Sequence, residues 1–216
     1  MTTQTASMST TASTGKVQTM VETALLIAVT LIMGLTPLGT IRTPILSVSL
    51  VTVPVAIAAM LIGPMGAFAC GTIFGITSFI NALTGASGLL SALFQVSPFG
   101  VFVTAIICRM LDGILVGLIF AGLSKVLKGK ASAVSYYVTG LAAPVLNTVF
   151  FMSSLMIFFY NSDYMKEIAT KLGAVNPKSL IIAMVGVQGV IEAIVGCAVA
   201  GTVGVLVAKA LGRKRG

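Results

Sequence analysis

Arg109, Asp112 and Glu192 lie inside apolar stretches long enough to cross a bilayer. An ionisable side chain there is costly unless it faces a partner, a ligand or a cavity. Arg109 carries a planar fork of donors that matches a carboxylate, and the two acids accept hydrogen bonds from hydroxyl groups. Asn147 and Gln188 lie in neighbouring apolar stretches and can both donate and accept. Counted inward at the helical rise, Arg109 and Gln188 come about 15 Å deep, and Asp112, Asn147 and Glu192 about 20 Å. Arg109 with Asp112 (i, i+3) and Gln188 with Glu192 (i, i+4) share helix faces. These spacings predict a polar pocket between three helices. The bland alternative is an internal ion pair, Arg109 with Asp112 or Glu192, that only locks helices together. Arg42, in an outer loop, is a further anion-binding candidate, against an ordinary solvated arginine. Asn81, at the outer end of a span, is a hydrogen-bonding candidate, against a helix C-cap.

The elements that position these residues follow from composition. With 57% hydrophobic and 8% charged residues and a mean hydropathy of +1.09 over 216 residues, the chain reads as an all-α integral membrane protein with no second soluble domain. Residues 1–15, rich in Ser and Thr, read as a disordered cytoplasmic tail or an added tag. Residues 16–216 read as one domain of six transmembrane helices. Its spans are Val17 to Leu35, a short one from Leu50 to Ile62, Pro64 to Leu83, Pro98 to Leu127, Ala133 to Tyr160 and Pro177 to Lys209. Gly63-Pro64 is a tight turn with proline placed to start the next helix. The segment TPLGTIRTPILSVS, with Pro37 and Pro44, reads as irregular backbone forming a lid.

Six spans put both termini on one side. Lys16, Lys125, Lys128, Lys130 and the basic C-terminus share that side, so the positive-inside rule predicts both termini to be cytoplasmic and the loops after spans one, three and five to gather outside. The net charge of +8 is dispersed between spans, which argues for topology and against nucleic acid as a partner. Cys70, Cys108 and Cys197 lack ligand spacing, and with no histidine in the chain they read as packing residues rather than a metal site. GLSKVLKGK lacks the glycine and Ser/Thr positions of a phosphate loop, so the chain itself has no ATP site. No serine or histidine setting supports hydrolysis, and no enzyme is expected. Ala24 and Ala28 place small residues on one face of span one, where another helix can approach closely.

The segment TPLGTIRTPILSVSLVTVPVAIAAMLIGPMGAFACGTIFGITSFINAL joins a proline-containing loop, a short helix with Pro54, the Gly63-Pro64 turn and Gly66, Gly71 and Gly75. Together with SPFGVFVTAIICRMLDG and the six-span organisation, it resembles the S components of energy-coupling factor (ECF) transporters. Within that family it is most similar to the pantothenate type, with hydroxymethylpyrimidine or pyridoxine types close behind. The resemblance implies a vitamin-binding subunit of the bacterial cytoplasmic membrane that works with a transmembrane coupling subunit and two ABC ATPases, which consume the ATP. It also implies that Ala24 and Ala28 form the docking face for the coupling subunit, and that the whole subunit topples in the lipid to deliver its site inward. A stand-alone small-solute carrier and a purely structural membrane subunit are the competing classes.

Overall fold

The computed structural model describes the backbone of residues 3–42, 47–127 and 132–211, and the side chains of 16–39, 49–127, 133–186 and 189–211. Helix α1 runs Thr3–Leu35, and its part Lys16–Leu35 is long and apolar enough to cross a membrane. Residues 3–15, expected to be a disordered tail, continue this helix. Once the apolar part is helical, each added residue gains a backbone bond without the cost of nucleation.

After the turn Pro37–Gly39, the chain forms β1 (Thr40–Arg42) and β2 (Ser47–Ser49). They pair antiparallel, Thr40 with Ser49, Ile41 with Val48 and Arg42 with Ser47. The expected irregular lid is thus a hairpin in its described part. Pro37 stands outside the paired residues, where a missing N–H breaks no ladder bond, and Pro44 lies outside the described residues.

Helix α2 (Thr52–Leu61) is buried over most of its surface, with Val55, Ala56, Ala58 and Ala59 each 0% exposed and only the Val53, Ile57 and Leu61 face partly exposed. Its 10 residues cover about 15 Å, half of a bilayer core. The expected second span is therefore a half-length helix inside the bundle. Among the described residues, five helical stretches have full spanning length, Lys16–Leu35, Pro64–Leu83, Pro98–Val126, Ala133–Phe159 and Gly189–Ala210. Gly63, at φ 97°, makes the turn into α3 (Pro64–Leu83), a conformation that a side chain resists.

The rest of the chain forms α4 (Gly88–Val96), α5 (Pro98–Phe102), a π-helical turn Val103–Ile107 and α6 (Cys108–Val126). Next come α7 (Ser132–Phe159), α8 (Asp163–Lys171), α9 (Pro177–Val195), a second π turn Gly196–Ala200 and α10 (Gly201–Ala210). The expected sixth span, Pro177 to Lys209, carries a non-helical residue at Gly186 (φ 16°, ψ −125°) within α9. Glycine tolerates such a break where other residues do not.

Backbone contact between glycines sets the helix spacing. A Cβ on Gly71 would lie 2.5 Å from the Arg109 carbonyl oxygen, and one on Gly75 2.8 Å from Ile106 Cα. In return, a Cβ on Gly113 would strike the Ala67 carbonyl and one on Gly117 would strike Pro64. Helices α3 and α6 therefore meet backbone to backbone, as small residues allow in membranes. Pro144, inside α7, has no N–H to bond the Gly140 carbonyl. That oxygen instead faces the second π turn, where a Cβ on Gly196 would lie 2.6 Å from it. One apolar core joins α4, α7, α8 and α9 through Leu93, Leu155, Phe159, Met165 and Leu180. Another packs Ala56, Ala59 and Met60 of α2 against Ala67, Val116, Ala143 and Ala200.

Candidate functional site

Arg109 follows the first π turn, and the turn shapes its surroundings. Its Nη1 donates to the carbonyls of Thr104 and Ala105, each at 3.1 Å, which lie within the π segment. The guanidinium sits over the Phe74 ring at 4.4 Å from its centroid and 5.5 Å from that of Phe151. Cation–π contact of this kind is strong where water is excluded. The ion pairs between described residues, Lys166–Asp163 and Lys171–Glu167, are both on α8. Arg109 is thus anchored by carbonyls and rings, which is a different arrangement from a helix-locking pair with Asp112. Behind it, the Thr104 hydroxyl donates to the Gly100 carbonyl at 2.8 Å and lies 2.6 Å from Ser154 Oγ.

Helix α9 supplies Glu192, whose Oε1 accepts the Ser49 backbone N–H at 2.6 Å. Helix α7 supplies Asn147, one turn past Pro144. Asn81 donates from Nδ2 to the Gly34 carbonyl at 2.8 Å and so ties α3 to α1. Its own carbonyl accepts the Ser87 N–H at 3.0 Å, and the C-cap of α3 is Thr84 rather than Asn81.

These groups surround one cavity of about 300 Å³. Arg109, Asn147, Glu192 and Asn81 line it together with Phe74, Phe151 and Met152. Asn147 is 8%, Arg109 7% and Glu192 7% exposed, so the polar wall is removed from bulk solvent. Ser87–Leu90 at the start of α4, and Tyr164, Glu167 and Lys171 of α8, complete the lining. Arg109 Nε and Ser49 Oγ are buried without a hydrogen-bond partner among the described residues, and both residues line the cavity. A buried donor left unmet is destabilising, so the site suits a ligand that carries complementary polar atoms. Its chemistry is recognition, with a cation flanked by rings, an acid and two amides around a small space.

Three of the helix-borne candidates, Arg109, Asn147 and Glu192, converge as expected, and Asn81 joins them. Asp112 does not. It is 1% exposed, its Oδ1 has no partner among the described residues, and it is absent from the cavity wall. Helical side chains lean toward the N-terminus, so the long Arg109 reaches back to Thr104, whereas the short Asp112 stays in the packed helix interface. The side chains of Arg42 and Gln188 lie outside the described residues. Ala24 and Ala28 are exposed on α1, in line with exposed Val21, Leu25 and Ile32.

Sequence reading missed the contribution of α8, which falls in the loop after span five. The signal was present in DYMKEIATK. Ser162 caps the helix by accepting the Met165 N–H at 3.3 Å, Met165 and Ile168 are buried, and Tyr164, Glu167 and Lys171 recur at helical spacing. Glu167 hydrogen-bonds Lys171 at 2.7 Å and holds its ammonium above the usual lysine range.

No curated protein matches the chain. The ECF transporter, substrate-specific component family matches residues 18–204, a range that takes in every helix lining the cavity, and the chain belongs to that family of substrate-specific transporter subunits.

Proposed function

We propose that the chain captures pantothenate from the outside and hands it to an ECF importer in the bacterial cytoplasmic membrane. Members of its family are substrate-specific transporter subunits, not enzymes, and work with a coupling membrane subunit and ATPases. The observation that carries the vitamin assignment is the gathering of Arg109, Asn147 and Glu192 on one buried cavity of about 300 Å³. Pantothenate has one carboxylate for Arg109, and hydroxyl and amide groups for Glu192, Asn147 and Ser49. The volume is at the small end for ligand sites and suits a compact molecule. The rings of Phe74, Phe151 and Tyr164 on the same wall favour a second reading, an aromatic vitamin of the hydroxymethylpyrimidine or pyridoxine type.

Native mass spectrometry of the purified chain, followed by titration calorimetry with pantothenate, pyridoxine and hydroxymethylpyrimidine, tests both readings. One bound pantothenate with a saturating heat supports the first. A ring compound in its place moves the assignment to the second, and absence of binding by all three removes vitamin capture.

In this reading, the hairpin and α2 together make the second crossing. Both termini then face the cytoplasm, with Lys16, Lys125 and Lys209 on that side. The exposed alanines of α1 would receive the coupling subunit. Replacing Ala24 and Ala28 with Trp is expected to abolish co-purification with the coupling subunit and ATPases, and ATP-driven uptake in vesicles, while ligand affinity stays within about twofold, because bulky residues block close helix approach. Normal assembly of this double variant would remove the docking face. Uptake by the wild-type chain without partners or ATP would make it a stand-alone carrier.

A further inference from the structure

The hairpin is fastened across the cavity by a bond that the strand register makes possible. Thr40 and Ser49 face each other, but the backbone bond at this point runs from the Leu50 N–H to the Gly39 carbonyl at 2.8 Å. The Ser49 N–H therefore points away from β1, as edge-facing donors do in an antiparallel pair. It meets Glu192 Oε1 on α9 at 2.6 Å. Both residues line the cavity, and Glu192 is 7% exposed. A carboxylate accepting a backbone N–H in such a setting makes a charge-assisted bond about twice as strong as a neutral one.

We propose that Glu192 is a positioning residue, a clasp that holds β2 against α9, so that ligand retention depends on this bond as well as on the ligand's own contacts. Ser49 Oγ, also on the cavity wall and without a partner among the described residues, puts the clasped residue itself within the ligand's surroundings. A ligand that hydrogen-bonds this hydroxyl would tighten the same strand that Glu192 holds. The retention part rests on reading the cavity as the vitamin site, whereas the clasp itself can be measured without a ligand.

The test compares the wild-type chain with Glu192→Ala, Glu192→Gln and Ser49→Pro in lipid nanodiscs. Proline deletes the N–H and leaves Glu192 untouched, and glutamine keeps an acceptor while losing the charge. Without added ligand, hydrogen exchange of residues 50–53 is expected to rise by about tenfold to a hundredfold in Glu192→Ala and Ser49→Pro. The rise in Glu192→Gln should be smaller. The Ala/Pro double variant should raise exchange by less than the two single effects combined, since both remove the same bond. In a second arm, radiolabelled pantothenate should leave Ser49→Pro faster, by a similar factor, than Ser49→Ala, which lacks the hydroxyl but keeps the N–H. Wild-type exchange in both single variants, or additive effects in the double, overturns the clasp. Raised exchange with no pantothenate bound by any form leaves the clasp standing and removes the vitamin assignment. Pantothenate that leaves Ser49→Pro at the Ser49→Ala rate overturns the role in retention. If Glu192→Ala fails to fold, the comparison of Ser49→Pro with Glu192→Gln decides, and equal exchange in those two overturns the clasp.

Discussion

Arg109→Ala is expected to weaken pantothenate binding by about 2 to 5 kcal/mol, measured by titration calorimetry on folded protein. The size follows from the setting. The guanidinium is 7% exposed, lies over Phe74, and is held by the Thr104 and Ala105 carbonyls, so a ligand carboxylate arriving there meets a charge already fixed and dry. Truncation removes the cation and leaves the anion with no counterpart. Arg109→Lys separates charge from geometry, because an ammonium keeps the charge but cannot form the fork or stack flat on the ring. It is expected to recover part of the affinity. Wild-type affinity in Arg109→Ala would confine the residue to closing the π turn.

The second large effect is on the scaffold. Gly113→Val should lower the melting temperature in detergent by about 2 to 12 °C, from an overpacking cost of about 1 to 3 kcal/mol. A Cβ at this position strikes the Ala67 carbonyl, and backbone cannot move aside as a side-chain tip can. Gly122→Ala in the same helix is the control, because a Cβ there meets nothing within 4 Å. It should leave the melting temperature unchanged or slightly raised, since Ala favours helix over Gly. Equal melting temperatures for the wild type and Gly113→Val would show that α3 and α6 separate without cost.

Much of this architecture was legible from residue chemistry. Proline at a helix start marks α3, α5 and α9, which begin at Pro64, Pro98 and Pro177. Counting helical rise placed Arg109, Asn147 and Glu192 at comparable depth, and all three line one cavity. Gly71 with Gly75 and Gly113 with Gly117 recur at the four-residue spacing of small packing residues, and they carry the contact of α3 with the π turn and α6. The hairpin was hidden because two prolines in a short segment look disruptive, whereas Pro37 precedes the first paired residue, Thr40. The π turns were hidden because VTAII and GCAVA carry no composition cue, and the extra residue per turn is set by tertiary packing. Shared helix face also proved a poor guide for Asp112. Spacing gives the direction of a Cα–Cβ bond, while reach depends on side-chain length, and aspartate has too little of it to follow Arg109 toward the cavity.

The half-length of α2 has a consequence for biosynthesis. A segment of 10 residues is too short to enter the lipid as an independent spanning unit, which takes about 20. The two-residue Ile62-Gly63 link makes α2 and α3 a single helical hairpin that must leave the translocon together, with α3 providing the hydrophobic length. Even then α2 has no lasting place until Ala56, Ala59 and Met60 find Val116 of α6, Ala143 of α7 and Ala200 near the C-terminus. Ser49 and Val51, which lead into α2, are part of the cavity wall. A nascent chain therefore gains the ability to hold a ligand only after α9 and the second π turn have been made, and a chain truncated before that turn is released without a binding site.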